Sequence, residues 1–394
     1  MGIIFWLCIT GIFYSYLGYP LMLVLLSLLI HKPPRAALIT PSVTLIIPAY
    51  NEELVIGKKI ENSLQLDYPA DNLQILVTDD GSDDRTKEIV EGYQGRKIEI
   101  SSSTLRSGKL NAINWAIKQA RGEIIVISDA TAMYDPDAMR KLVAPFADPQ
   151  VGIAAGAHFI LPGDGALGDT EGLYWKYEAF VTRHETMIGS CTGISGANMA
   201  IRREVFESPP ANIITEDFYM AMRMIKRGLR VVFVTDARCY ERVSPTAQEE
   251  MERRTRIVAG RFQSMSMAGN ILPWNNLLVV WQVFSHKFSR PMVPFLMVAA
   301  LAANIFTVVW PSGNTNMQLL FLSGPYNWII LFFQCLFYLI AMIGNKWKIS
   351  GKIGKLFYIP VYLVNGNISA MSGFIRFLRG TQTTRWHRVT RKEI

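Results

Sequence analysis

Charge is scarce in this sequence. Of 394 residues only 18% are charged while half are hydrophobic, an apolar balance for a soluble protein of that size. The acidic residues are confined almost wholly to residues 35–260, which therefore read as a soluble domain. Cysteine is scarce too. Cys8, Cys191, Cys239 and Cys335 are scattered without metal-like spacing, two of them in apolar stretches, which speaks for free thiols and against a disulfide framework or structural zinc. His158, His184, His286 and His387 share no ligand spacing and are taken as structural. No G-x-G-x-x-G fingerprint follows the first strand-like run, which removes the support for a dinucleotide oxidoreductase. The chain has no internal repeat and no low-complexity tract.

What the chain has in abundance is long apolar sequence, in residues 1–30 and 291–378. Residues 3–30 run apolar for too long to be a signal peptide, and they end at His31-Lys32-Pro33-Pro34-Arg35 without a small-residue cleavage site. Such a stretch spans a hydrocarbon core of ~30 Å, so a transmembrane helix is expected over 1–32. The basic residues after it place the next domain, 33–268, in the cytoplasm. Residues 269–290 mix Trp274, Trp281, Leu and Val with Asn, His286, Lys287 and Arg290, and read as an amphipathic helix at the headgroup level. A C-terminal membrane region over 291–378 follows, with spans at 291–311 and 319–343. The Pro311–Asn316 loop, free of Lys and Arg, suits the outer side, and the basic loop Lys346–Lys355 the inner. Pro360, Gly366 and Gly373 interrupt the last apolar segment, 356–378. It reads as a re-entrant or broken hairpin that keeps the basic tail, 379–394, inside. The net charge of +8 collects beside the apolar segments and in the tail, as at Lys346, Lys352, Arg376 and Arg388, where it faces acidic lipid rather than nucleic acid. The sum is a multi-pass protein of the inner or plasma membrane, with the lipid bilayer as its partner.

Between the apolar ends, strand and helix alternate. Val43–Pro48, Leu73–Thr78, Ile98–Ser101 and Glu123–Ser128 read as strands, and 52–66, Asp84–Tyr93 and Lys109–Ala120 as helices. Short connections make this an α/β domain with a doubly wound, mostly parallel sheet. In such sheets ligands sit at the carboxyl ends of the strands, and the polar clusters fall there.

Four clusters carry chemistry. Tyr50-Asn51-Glu52-Glu53 follows strand one; its plain structural reading is a capped helix start. Asp79-Asp80-Gly81-Ser82-Asp83-Asp84 follows strand two and reads equally as a tight turn with capping aspartates. Ser107-Gly108-Lys109 brings a lysine and backbone amides to a helix N-terminus, where an anion binds. Asp129, after strand four, is a carboxylate in register with the other three.

Six motifs stand in order: PAYNEE (48–53), DDGSDD (79–84), SGKLNAIN (107–114), SDAT (128–131), SGANMAIRREVF (195–206) and TEDFYMAMRMIKRG (215–228). Together they resemble the family 2 glycosyltransferases, most of all the membrane-integrated branch of cellulose, chitin and hyaluronan synthases. The resemblance covers residues 43–290 and implies a GT-A-type, Rossmann-like domain that transfers a sugar from a UDP-sugar with inversion. By position it implies that Tyr50, Glu52, Asp80, Lys109 and Asp129 hold the nucleotide-sugar. Gly196 and Ala197 would line the acceptor pocket beside Glu216, and Asp217 of the T-E-D motif would be the general base. The plain reading of Glu216-Asp217 is a helix start capped by Thr215. A divalent cation, Mg²⁺ or Mn²⁺, is implied on Asp129, and other polysaccharide-assembly proteins are implied as partners. Direct displacement needs no Ser or Cys nucleophile, and none stands out.

Two positions depart from the family pattern. The D-x-D motif reads Asp129-Ala130-Thr131, so a hydroxyl replaces the second carboxylate, and Thr131 is the poorer ligand. The Q-x-x-R-W motif of processive synthases reads Arg253-Arg254-Thr255-Arg256-Ile257. Arg256 keeps the arginine implied at the leaving diphosphate. Arg253 replaces the glutamine on the acceptor side, and Ile257 the acceptor-site tryptophan. Three functions fit: a synthase of exopolysaccharide or cell-surface glycan, a single-addition transferase to a lipid acceptor (a polyprenyl-linked sugar or a diacylglycerol), and a non-catalytic nucleotide- or glycan-binding membrane subunit. The aromatic stretch Tyr174-Trp175-Lys176-Tyr177 suits a sugar face or a core equally.

Overall fold

Valine and isoleucine runs with no polar alternation mark strands covered on both faces, and the strands here are buried along nearly their whole length. The computed structural model describes residues 1–161, 165–242, 246–311, 318–346 and 351–383, with backbone alone at 165–171, 173, 247 and 351–358. In chain order, helix α1 (Gly2–Leu29) precedes strand β1 (Val43–Ala49) and helix α2 (Ile56–Leu64). Next come β2 (Leu73–Asp79), α3 (Thr86–Glu91), β3 (Ile98–Ser102), α4 (Lys109–Ile117) and β4 (Ile124–Ile127). β5 (Met133–Tyr134), α5 (Ala138–Val143), β6 (Val151–Ile160), α6 (Gly165–Ile188), β7 (Met199–Arg202), α7 (Glu216–Lys226) and β8 (Arg230–Glu241) complete the sheet region. Four long helices follow among the described residues: α8 (Ala247–Ser266), α9 (Leu277–Val309), α10 (Tyr326–Lys346) and α11 (Gly351–Leu378).

The sheet has eight strands in the order β3-β2-β1-β4-β7-β6-β8-β5. The first four are parallel. β7 and β5 run against their neighbours while β6 and β8 pair parallel, so the sheet is mixed but mostly parallel, a GT-A-type arrangement. Helix α4 packs on β1 and β2, and α5, α6 and α7 pack on β6 and β8. Register fixes the functional edge. Ala49 pairs with Asp79 and Ile46 with Ile127, so β1, β2 and β4 all end on the line where Tyr50, Asp80 and Asp129 begin.

The chain divides into two compact units. One holds Met1–Met22, Met251–Met265 and Val283–Gln382; the other holds the sheet, chiefly Leu23–Glu250 with Ser266–Gln282. Residues 251–265, which the sequence reading put in the soluble domain, therefore group with the apolar helices. Among the described residues three helices are long and apolar enough to cross a membrane: Gly2–Leu29, Leu277–Val309 and Tyr326–Lys346. Leu7, Leu17, Phe332, Phe333 and Met342 face outward along them, an exterior suited to lipid.

Two expectations for the membrane region differ from what is observed. Residues 277–290 are not a separate surface helix but run directly into a 33-residue helix. The reason is that their polar residues find protein partners: Ser285 meets the Tyr14 hydroxyl at 2.6 Å, and His286 stacks on Tyr19. The first contact joins two π-helical turns, Tyr14–Gly18 and Val283–Phe288, and the second lies directly beside them. Residues 356–378 do not form a hairpin; α11 continues through Pro360. Gly373 serves as a close-approach point, since a Cβ there would lie 2.7 Å from the Thr255 carbonyl oxygen of α8. Phe262 of α8 packs beside it on Phe374, at 4.8 Å between ring centroids. The loop at 312–317, Lys348 and the tail residues Trp386 and Arg388 lie outside the described residues.

Candidate nucleotide-sugar site

The loops after β1 and β2 are tied to each other. Asn51 adopts φ +55°, a left-handed conformation that asparagine tolerates. Its amide nitrogen donates to Asp83, its side-chain oxygen accepts from Asp83 N at 2.9 Å, and Glu52 N donates to Thr86 Oγ1 at 2.7 Å. Asn51 is therefore a tie between two loops, not a helix cap, and α2 begins only at Ile56. The tie fixes Tyr50 at the sheet edge, where the Arg106 guanidinium lies 4.0 Å over its ring.

Asp80 is buried, and both its oxygens accept hydrogen bonds from the next loop. Oδ1 takes Ser107 N at 2.7 Å and Ser107 Oγ at 2.8 Å, and Oδ2 takes Gly108 N at 2.8 Å. The carboxylate thus anchors the loop that starts α4. Gly108 sits at φ +96°, which a side chain would strain, and Lys109 follows as the first helical residue.

The Lys109 ammonium reaches across to Asp129 Oδ1, forming an ion pair with both side chains largely shielded from solvent. A Cβ on Gly196 would stand 4.0 Å from Lys109 Nζ, so the Ser195–Asn198 segment borders the same pair. Ala197 accepts from the Tyr134 hydroxyl through its carbonyl at 3.2 Å.

A second charged group, unmarked by any motif, lies beneath this edge. The Thr131 hydroxyl donates to Glu241 Oε1, and His158 Nε2 stands 3.2 Å from Glu241 Oε2. Burial opposes charge on His158, but hydrogen bonds to Cys239 and Glu241 override it and raise the imidazole to about 10. Trp175 packs on His158 with ring centroids 4.4 Å apart, which brings one member of the aromatic stretch to this part of the sheet. Lys59 is fully buried under the turn; its ammonium donates to the Ala132 carbonyl and lies 4.2 Å from the Tyr134 ring centre. Burial lowers it to about 7.

Helix α7 follows Thr215, which stands at the cap position but makes no side-chain capping bond. Glu216 and Asp217 occupy the first turn, partly exposed, and Asp217 Oδ1 accepts from Phe218 N at 2.7 Å. Arg253 and Arg256 lie on the 251–265 part of α8, within the unit of long apolar helices.

Among the described residues no group of three His, Cys, Asp or Glu stands close enough to hold a metal ion alone. The oxygen donors Asp129 and Thr131 suit a hard divalent cation whose remaining ligands come from phosphate and water. The sequence alone marks His158 as structural and places Lys59 in no motif, while Glu241 stands 110 residues along the chain from its partner Thr131. The one available signal was Glu241 at the carboxyl end of a strand.

Comparison with known proteins agrees with this architecture. The family model "Glycosyl transferase family 2" matches residues 44–208. Beta-monoglucosyldiacylglycerol synthase of Synechocystis sp. is 25% identical over 313 residues, 75% of this chain and 62% of that protein. Poly-beta-1,6-N-acetyl-D-glucosamine synthase of Staphylococcus aureus is 27% identical over 224 residues, 55% of this chain and 54% of that protein. The chain therefore spans between half and two-thirds of these relatives. Mannosyltransferase PcManGT from Pyrobaculum calidifontis, solved with GDP-Man and Mn²⁺, superposes with a TM-score of 0.68 at 22% identity, covering 93% of this chain and 99% of that one. Residues 44–208 thus match the family 2 glycosyltransferase model, within a chain whose fold is similar to that of a solved mannosyltransferase.

Proposed function

We propose that the chain is an inverting transferase of hexosyl or N-acetylhexosaminyl groups, passing sugar from a UDP-sugar to a glycan or lipid-linked acceptor. It would work at the cytoplasmic face of the cell membrane, in the making of exopolysaccharide or cell-surface glycan. The observation that carries the reading is the Lys109–Asp129 pair, set at the carboxyl edge of the sheet between the Asp80-anchored loop and Gly196. A diphosphate needs cationic and hydrogen-bonding groups at such an edge, and a glycine beside them leaves room for a sugar.

In this mechanism Tyr50 and Glu52 flank the base and ribose, and Asp80 acts by holding the Ser107–Lys109 loop. Lys109 would move its ion pair from Asp129 to the donor diphosphate. The acceptor hydroxyl attacks the anomeric carbon in line with the departing UDP, the carbon–oxygen bond to phosphate breaks, and Asp217 takes the hydroxyl proton. A divalent cation, when bound at Asp129, would supply neutralisation of the leaving diphosphate.

A lipid acceptor is the second reading, favoured by Ile257 in place of the tryptophan that synthases present to a growing glycan. One experiment separates them. Purified protein in lipid nanodiscs is given a panel of UDP-sugars with Mn²⁺, and UDP release and product size are followed. A ladder of products means a synthase, and a single sugar on extractable lipid means a lipid transferase. Release from none of the donors, in discs containing native lipid extract, would sink both.

A further inference from the structure

The structure puts a carboxylate where the D-x-D motif has lost one. Thr131 holds the position of the second acid, and its hydroxyl donates to Glu241 Oε1. Register produces this meeting. β5 starts directly after the Asp129–Thr131 turn and pairs antiparallel with the end of β8, Met133 with Tyr240 and Tyr134 with Cys239. Continued by one residue, that ladder sets Glu241 beside the turn.

We infer that Glu241 is the second carboxylate of the donor-site cation, replacing across the sheet the acid that Thr131 lacks. The inference rests on the transferase reading. Three features support it. Glu241 is 21% exposed at its side chain, against 4% for His158, so the carboxylate borders the open side and the imidazole lies behind it. His158 binds Oε2, and carboxylates that ligate metals are commonly held by such an outer partner. Mg²⁺ and Mn²⁺ sites built on donor phosphates use one or two carboxylates, with phosphate and water completing the shell. Asp129 and Glu241 are two, consistent with the lack of any three-residue metal group among the described residues.

The test reads metal binding, not turnover. Full-length protein in nanodiscs is titrated with Mn²⁺, and the free ion is followed by electron paramagnetic resonance, with and without UDP. UDP binding is measured separately in EDTA. Wild type is expected to bind Mn²⁺ more tightly when UDP is present. E241Q should lose about 10–100-fold in Mn²⁺ affinity, while its UDP binding in EDTA and its melting temperature stay near wild type. T131D/E241Q, which restores the acid at the motif position, should regain most of the loss. A role for Glu241 in packing alone predicts no such rescue. Mn²⁺ affinity unchanged in E241Q, or no recovery in T131D/E241Q, overturns the inference. Wild type that binds UDP without any gain from Mn²⁺ overturns it while leaving the transferase reading in place. Wild type that binds no UDP removes both.

Discussion

Lys59 illustrates how single residues shape this site without touching a ligand. It is fully buried, and burial lowers its ammonium from the ordinary lysine range to about 7. The unfolded chain keeps the ordinary value, so between about pH 7 and 10.5 it binds the proton that the folded chain has released. Stability from this group therefore rises with pH across that window and is lowest at or below pH 7. Lys59→Met removes the linkage. The melting temperature of wild type relative to this variant should improve from pH 6.5 to pH 9; a gap that is equal at both values would contradict the assignment. Asp80 makes a related point. Its position in the motif implies contact with base or ribose; its oxygens serve the Ser107–Gly108 backbone, and in the proposed mechanism it acts through the loop it holds.

At the scale of elements, the first half of the sheet was legible and the second was not. β1 to β4 are short apolar runs separated by helical periodicity and turn residues, and they fall within a residue or two of expectation. α2 begins later than its sequence pattern implied, because Asn51 and Glu52 are bound to the neighbouring loop rather than to a helix. β6 is as apolar and buried as the early strands, but β5 and β8 carry a weaker signal. β5 is two residues long and β8 leaves several residues half exposed, and their pairing depends on contacts distant in sequence. That is why Glu241 stayed hidden. In the unit of long apolar helices, composition located the apolar stretches but misread their interruptions. Glycine and polar residues that resemble breaks or headgroup contacts are where helices meet, as at Gly373 and Ser285. Gly373→Leu should therefore destabilise the packing of α11 on α8. A side chain there meets the Thr255 backbone oxygen at 2.7 Å, which no rotamer change relieves. Loss of about 1–3 kcal/mol is expected, read as a lower melting temperature in detergent. Melting at the wild-type temperature would show that the two helices separate freely at this point.

Over the whole molecule, one chain combines a sheet unit that matches the family 2 glycosyltransferase model with a unit of long apolar helices. The combination suits chemistry in which the donor is water-soluble and the acceptor is held at a membrane. The central claim is that this chemistry is direct displacement with Asp217 as the base. The most direct measurement compares UDP release by wild type and Asp217→Asn in the same nanodiscs and with the same donor, alongside UDP binding by both. The account predicts turnover reduced about 10²–10⁴-fold with UDP binding retained. An Asp217→Asn protein that turns over the donor at the wild-type rate would contradict it.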